Sequence, residues 1–169
     1  MNAKLIVSIS ALAVALAAAA GIVAISKLTV IKPAPEVRFN SLAGKPLSTS
    51  ELRGKVVLVN FWGTYCAPCI REMPKVVETY RKFAARGYET LAVATRHDKL
   101  QNVARFVTQH DLPFKVALDS SGEAAKAFGN VRITPTMFLI DKQGRVLRRY
   151  IGQPNWTEIH ELVERELGS

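Results

Sequence analysis

The chain contains two cysteines, Cys66 and Cys69, which are separated by two residues. Two thiols at this spacing act either as a dithiol that cycles with a disulfide or as half of a metal site, which needs further ligands nearby. The three histidines, His97, His110 and His160, lie in separate segments without ligand spacing. A purely structural disulfide would be a poor staple, because so short a loop removes little entropy from the unfolded chain. The pair therefore predicts thiol–disulfide exchange, with no metal and no cofactor.

The elements around the cysteines indicate which thiol reacts first. The apolar run Val56–Trp62 predicts a buried strand, and a helix is predicted to follow from about Ala67. Cys66 would then lie at the start of that helix, where unpaired N–H groups and the helix dipole favour a thiolate. In such positions cysteine pKa values fall from ~8.5 to roughly 3.5 to 7.5, so Cys66 is the predicted nucleophile. Cys69, one turn later on the same face, is the predicted resolving thiol.

The N-terminal region differs in composition from the rest of the chain. From Leu5 to Ile25 there is no charged residue, and Lys4 and Lys27 bracket this run. About 20 such residues span the hydrocarbon core of a bilayer as a helix. The apolar region of a cleaved signal peptide has only about 7 to 15 residues, which favours an uncleaved anchor. The small residues Ala18-Ala-Ala20 would nevertheless suit a signal peptidase, so cleavage stays an alternative.

We expect a single-pass protein of the inner (cytoplasmic) membrane. Residues 1–31 would form a signal anchor in the lipid bilayer, residues 32–36 a semi-rigid Pro-rich linker, and residues 37–169 the folded domain. The flanking charges do not decide the orientation, but large domains cross the membrane largely regardless of charge. The catalytic domain is therefore expected on the periplasmic, extracytoplasmic side, which is oxidising.

The chain is basic, with a formal net charge of +9. Its clusters, such as Arg81-Lys82 and Arg148-Arg149, could meet anionic lipid headgroups or an acidic partner. They are neither long nor interleaved with aromatic residues, as nucleic-acid readers are. We expect mostly solvated surface charge, no nucleic-acid partner and a monomer.

Strand and helix patterns alternate along the domain and end in a hairpin and a helix. This order predicts an α/β fold with a central mixed sheet covered on both faces. The predicted elements are a brief helix opened by a capping box at Ser48–Glu51, a helix from about Ala67 to Ala85 that Pro74 should kink and Gly87 should end, strands at 88–95 and 114–118, helices at 100–110 and 123–128, a hairpin of 136–141 with 145–151, and a helix at 156–167.

Two segments resemble a known family. Asn60-Phe-Trp-Gly-Thr-Tyr-Cys-Ala-Pro-Cys-Ile-Arg-Glu-Met-Pro74 and Thr134-Pro-Thr-Met-Phe-Leu-Ile-Asp-Lys-Gln-Gly144 look like the TlpA/ResA group of membrane-anchored thiol-disulfide reductases. The likeness begins near Phe39 and includes the extra strand and helix at 88–110 that separate this group from plain thioredoxin. It implies a thioredoxin fold with a strand–helix insertion, preceded by a transmembrane helix.

Glu72 follows Cys69 by three residues, so it lies on the same helix face and could exchange protons with it. A solvated glutamate is the alternative. Plain thioredoxins carry a buried aspartate where this chain has Asn60, which cannot titrate, and the resemblance implies that Glu72 supplies the acid–base function instead.

The resemblance also implies a substrate site beside the cysteines. Pro135 matches the cis-proline of the family, which would expose backbone groups of Thr134 to an extended substrate chain. Trp62 and Tyr65 are expected to form an apolar rim, and Trp62, at the end of a strand, is the better candidate of the two.

By resemblance, the protein would reduce disulfides in client proteins with cysteine pairs and be recharged by a membrane electron donor. Apocytochrome c, in cytochrome c biogenesis, and copper-site proteins are the clients that the group implies. Two alternatives stay open. A thiol peroxidase would use a threonine shortly before its cysteine, as Thr64 stands before Cys66, and a copper-delivery protein would add His97 or His110 to the two thiolates.

Overall fold

The structure is a computed structural model that describes residues 32–42, 44 and 46–168. The predicted anchor, with its peptidase site, lies outside the described residues. Within the part of the chain that is described, no helix is both long and apolar enough to cross a membrane.

Seven strands form one mixed sheet. They are β1 (Arg38–Ser41), β2 (Pro46–Ser48), β3 (Val56–Trp62), β4 (Tyr88–Thr95), β5 (Lys115–Asp119), β6 (Thr136–Ile140) and β7 (Val146–Ile151). Their order across the sheet is β2-β1-β5-β4-β3-β6-β7. The strands β3, β4 and β5 run parallel, whereas β6 and β7 extend the sheet antiparallel on one side and the β1–β2 hairpin does so on the other. The predicted mixed α/β sheet is confirmed.

Helices cover both faces of the sheet. They are α1 (Ala67–Phe83), α2 (Leu100–Gln109), α3 (Glu123–Ala127) and α4 (Trp156–Gly168), with short 3₁₀ turns at Ser50–Leu52 and Ala84–Arg86. Residues of α1, α2 and α4 pack in one core cluster on one face, and α3 and the β1–β2 hairpin contribute to a second cluster on the other. This double covering explains why every residue of β3 and β4 is buried.

The helix that carries the cysteines begins and ends at residues with clear local reasons. Cys66 is its N-cap, and Pro68 lies in the first turn, where a missing N–H costs nothing. The helix continues through Pro74. After the 3₁₀ turn, Gly87 takes a left-handed conformation with φ of 97°, which ends the helical segment as predicted.

The region before β3 differs from the prediction in two ways. The sequence did not indicate the β1–β2 hairpin, because both strands are short and mixed in polarity. The predicted capping box at Ser48–Glu51 is also wrong. The Ser48 hydroxyl bonds to the Ser50 hydroxyl, and the N-cap of the 3₁₀ turn is Thr49, whose side chain makes no capping bond. The Thr49 hydroxyl instead donates to the carbonyl of Pro35 at 2.9 Å.

Residues 32–36 do not form a free linker. The Val146 N–H donates to the Lys32 carbonyl and the Ala34 N–H donates to the Gly144 carbonyl, both at 2.8 Å. Pro33 also forms an isolated bridge with Arg145. The expected boundary at residue 37 is therefore corrected: the folded unit already includes Lys32, because this segment is hydrogen-bonded along the start of β7.

Candidate active site

Cys66 and Cys69 form a disulfide, so the structure shows the oxidised protein. The Cys66 sulfur accepts a hydrogen bond from the Cys69 backbone N–H at 3.3 Å. The helix N-terminus thus offers partial positive charge to the sulfur that would become a thiolate after reduction. Cys66 is 7% exposed and Cys69 is fully buried. A substrate sulfur can therefore reach Cys66 but not Cys69, which supports the predicted order of nucleophile and resolving thiol.

The loop before Cys66 is fixed by the ends of neighbouring strands. The Thr64 backbone N–H and hydroxyl donate to the two carboxylate oxygens of Asp98, at 2.5 and 2.8 Å. The Tyr65 and Thr95 hydroxyls bond at 2.6 Å. Sequence reasoning missed Asp98 and Thr95. The signal for them was available, since β3 and β4 are parallel and their carboxyl ends meet at one edge of the sheet.

Glu72 lies on the buried face of α1, together with Cys69. Only 3% of the residue is exposed, so the solvated alternative is excluded. Neither carboxylate oxygen has a hydrogen-bond partner among the described residues. Burial raises the pKa of this carboxyl from 4.5 to about 7, because the charged form loses its hydration. Glu72 is therefore a group that can take up or release a proton near neutral pH.

Asn60 adds a second unusual polar side chain to the same layer. It lies on the same face of β3 as Leu58 and Trp62, which belong to the core cluster that contains Cys69. Asn60 is fully buried, and neither its amide oxygen nor its amide nitrogen has a partner in the described part of the chain. Buried polar atoms without partners are rare in folded proteins, and a catalytic or redox role is one of the explanations for them. The largely apolar layer between the sheet and α1 thus contains two polar side chains, Asn60 and Glu72, that lack partners within the described ranges.

The loop before β6 has the expected backbone geometry. The Thr134–Pro135 peptide bond is cis, as the resemblance implies. The Pro135 carbonyl accepts from the Gly152 N–H at 2.8 Å, and the Ile133 carbonyl accepts from the Thr136 hydroxyl at 2.7 Å. Between them, neither the N–H nor the carbonyl of Thr134 has a backbone partner among the described residues. These two groups can pair with an added strand.

The predicted rim needs a correction. Trp62 is fully buried and packs on Phe106 of α2, with ring centroids 5.1 Å apart, so it cannot form an exposed rim. On β3 the Trp62 side chain points into the core, where α2, the helix of the insertion, covers it. Tyr65 is 55% exposed and Ile133 is 60% exposed. Tyr65, the less favoured candidate, is therefore an exposed apolar residue next to Cys66, and Ile133 is another directly before the Thr134–Pro135 bond.

The structure gives no support to the peroxidase or copper alternatives. The Thr64 hydroxyl donates to Asp98 and not to Cys66. Of the two histidines in the copper alternative, His110 packs against Phe106, with ring centroids 4.0 Å apart, and His97 is exposed in the loop after β4. Across the described ranges, no three His, Cys, Asp or Glu side chains are grouped as a metal site.

Comparison with known proteins agrees with this site. A family model described as Redoxin matches residues 29–165. The thiol-disulfide oxidoreductase ResA of Bacillus thuringiensis subsp. konkukian is 37% identical over 139 residues, which are 82% of this chain and 79% of that protein. The ResA protein of Geobacillus kaustophilus is 40% identical over 136 residues, 80% of this chain and 75% of the relative.

A solved structure is also similar. The crystal structure of a thiol:disulfide interchange protein of the thioredoxin family from Chlorobium tepidum aligns with a TM-score of 0.74 and 30% identity, covering 83% of this chain and 99% of that one. The chain belongs to the Redoxin family. The Cys66–Cys69 pair and these likenesses define a protein-disulfide oxidoreductase of the TlpA/ResA type.

Proposed function

We propose that this protein is an extracytoplasmic reductase of disulfides in client proteins. The observation that carries the proposal is the asymmetry of the dithiol. Cys66 is accessible at a helix N-terminus, whereas Cys69 is buried directly behind it. A thiolate at the first position can attack a client, and the second thiol is kept from solvent until it resolves the intermediate.

The reaction consists of two exchanges. The Cys66 thiolate attacks one sulfur of the client disulfide, forming a mixed disulfide and releasing the other client sulfur as a thiolate. The Cys69 thiolate then attacks the Cys66 sulfur and releases the second client thiolate. The client gains two electrons and two protons, and the protein is left with the Cys66–Cys69 disulfide that the structure shows.

Glu72 would handle the proton of the resolving step. Cys69 must lose its proton before it attacks, and it has no exposure to water. A carboxylate on the same buried face of α1, with a pKa of about 7, can accept that proton at neutral pH and later pass it on. The assignment as an acid–base residue is supported by burial and by the absence of an ion-pair partner among the described residues.

Clients would bind as extended chain segments. The free backbone groups of Thr134 suit strand addition next to Cys66, and Pro135 sets their direction. Tyr65 and Ile133 would contact apolar client side chains. Trp62 would support the site from the core without touching the client. This mode favours clients whose cysteine pair lies in an unfolded segment.

The cellular setting of the proposal rests on composition and resemblance. The uncharged run from Leu5 to Ile25 would anchor the chain in the inner membrane, with the domain in the periplasm. Apocytochrome c during cytochrome c biogenesis, or a copper-site protein, would be the client, and a membrane donor would return electrons to the disulfide. The protein would act as a monomer.

The two single-cysteine variants test the proposal. With the full chain and a disulfide-bonded CxxC peptide, Cys66→Ser should abolish turnover, because the accessible nucleophile is lost. Cys69→Ser should stop after one exchange and accumulate a mixed disulfide on Cys66, visible as an added peptide mass. Retained turnover in Cys66→Ser would overturn the proposal.

A further inference from the structure

A groove of about 820 Å³ opens directly beside the proposed client site. Tyr65 and Thr134 form part of its lining, so it is continuous with the exposed rim and the free backbone groups. Its other walls come from the carboxyl ends of β4 and β5 and from the segment between β5 and β6. A client strand that pairs with Thr134 would enter this groove within a few residues of its cysteine.

Three cations line the groove. Arg96, Lys126 and Arg132 are exposed, and none of them forms an ion pair within the described part of the chain. Two carboxylates also lie in the lining. That of Asp119 is buried and accepts from the Ala124 and Ala125 N–H groups at 3.1 and 2.9 Å, so it is engaged in holding the start of α3. Glu123 is the second, and it is exposed.

Neighbouring residues hold the two arginines in the groove. With the Asn130 amide oxygen turned toward Arg132, that oxygen accepts from Nε at 3.2 Å and from Nη2 at 3.0 Å. The Arg96 side chain lies against Gly122, where a Cβ atom would be 3.0 Å from its Cδ. An arginine side chain that is already held in place loses less conformational entropy when it binds a carboxylate. The two carboxylate oxygens match the planar pair of N–H donors of a guanidinium.

We propose that this groove selects client segments that carry carboxylates next to the cysteine pair. The inference rests on the proposed reductase function and adds a substrate class to the same site. Each exposed pair contributes little by itself, so the selectivity comes from three cations acting on one bound segment. Complementary charge of this kind raises both encounter rate and specificity, and salt screens it.

The test uses the full chain and two peptides with the same disulfide-bonded CxxC core. One has three glutamates near the cysteines and the other has glutamines in their place. We expect kcat/KM to be about tenfold higher for the glutamate peptide at low salt, and the preference to shrink at high salt. Equal values at low salt would overturn the groove proposal and leave the reductase intact, whereas failure to reduce either peptide would overturn the proposed function itself.

Two matched triple variants locate the effect. Arg96→Gln, Lys126→Gln and Arg132→Gln together should remove the preference for the glutamate peptide. The control is Arg38→Gln, Arg81→Gln and Arg105→Gln, which removes the same charge from exposed residues that do not line the groove. The control should keep the preference. Loss of the preference in both variants would assign it to net charge and overturn the groove proposal.

Discussion

Two buried glutamates in this protein have opposite surroundings. Glu72 and Glu89 are each only 3% exposed. The Glu89 carboxylate is paired with the ammonium groups of Lys115 and, at 3.6 Å, Lys55, and it also accepts from the Thr90 N–H at 3.1 Å. No described residue bonds to the Glu72 carboxylate. Equal burial therefore has different consequences: the charge of Glu89 is compensated, whereas that of Glu72 is disfavoured, so Glu72 holds its proton up to about pH 7.

The position of each glutamate in the sheet explains the difference. Glu89 is near the amino end of β4, in register with Val57 at the amino end of β3. Cys66 follows the carboxyl end of β3, and Glu72 is on the helix that begins there. In parallel sheets, active sites form outside the carboxyl ends of the strands. The paired glutamate at the amino end of the sheet fits a stabilising role, and the position of Glu72 on α1 is consistent with the proposed role in the reaction.

The largest expected effect is on the pH dependence of stability. Since the folded-state pKa of Glu72 is about 7 and its ordinary value is 4.5, the folded protein binds an extra proton between these values. The contribution of Glu72 to the free energy of unfolding is therefore fully present below pH 4.5 and is lost as the pH rises through 7. Glu72→Gln should remove this loss, gaining about 3 kcal/mol at pH 8 relative to its effect at pH 4. Urea unfolding of the oxidised forms at both pH values measures it.

Glu89→Gln is the matched control for that experiment. It breaks two ion pairs of a buried carboxylate and should destabilise the protein at pH 8. A Glu72→Gln variant that loses stability at pH 8 in the same way would contradict the contrast between the two sites.

The second expected effect is on the rate of client reduction. Glu72→Gln should lower kcat/KM at neutral pH on the order of 10²-fold, because Cys69 loses its proton acceptor. The rise in rate around pH 7 that comes from ionisation of Glu72 should also disappear. Peptide disulfide reduction followed from pH 5 to 9 provides the measurement. Glu89→Gln should retain the wild-type profile, and an unchanged profile in Glu72→Gln would assign that residue to structure.

The smallest expected effect is on the free energy of unfolding when either of the two lysines that pair with Glu89 is replaced. Lys115→Met removes the closer ion pair and should cost about 1 kcal/mol, a modest value because the lysine side chain is 40% exposed. Lys55→Met removes the 3.6 Å pair and should cost less. Unfolding free energies of the two single variants and the double variant give the coupling. A larger loss from Lys55→Met would reverse the assigned order.

Short-range sequence patterns predict much of the structure around the two glutamates. The strands β3 and β4 match their predicted bounds residue for residue, since both are predominantly apolar segments that are buried on both faces. The position of Glu72 on the face of Cys69 follows from helical spacing. What the sequence could not supply are contacts between distant segments. The burial of Trp62 depends on Phe106, and the loop before Cys66 depends on Asp98.

The reduction potential of the Cys66/Cys69 couple tests the central claim most directly. It is obtained by equilibrating the protein against glutathione or dithiothreitol buffers and trapping the thiols. A reductase fed by a membrane donor should have a potential near or below the about −270 mV of thioredoxin. A potential near the about −120 mV of the oxidant DsbA would mean that the protein makes disulfides in its clients, contradicting the proposed direction of electron flow.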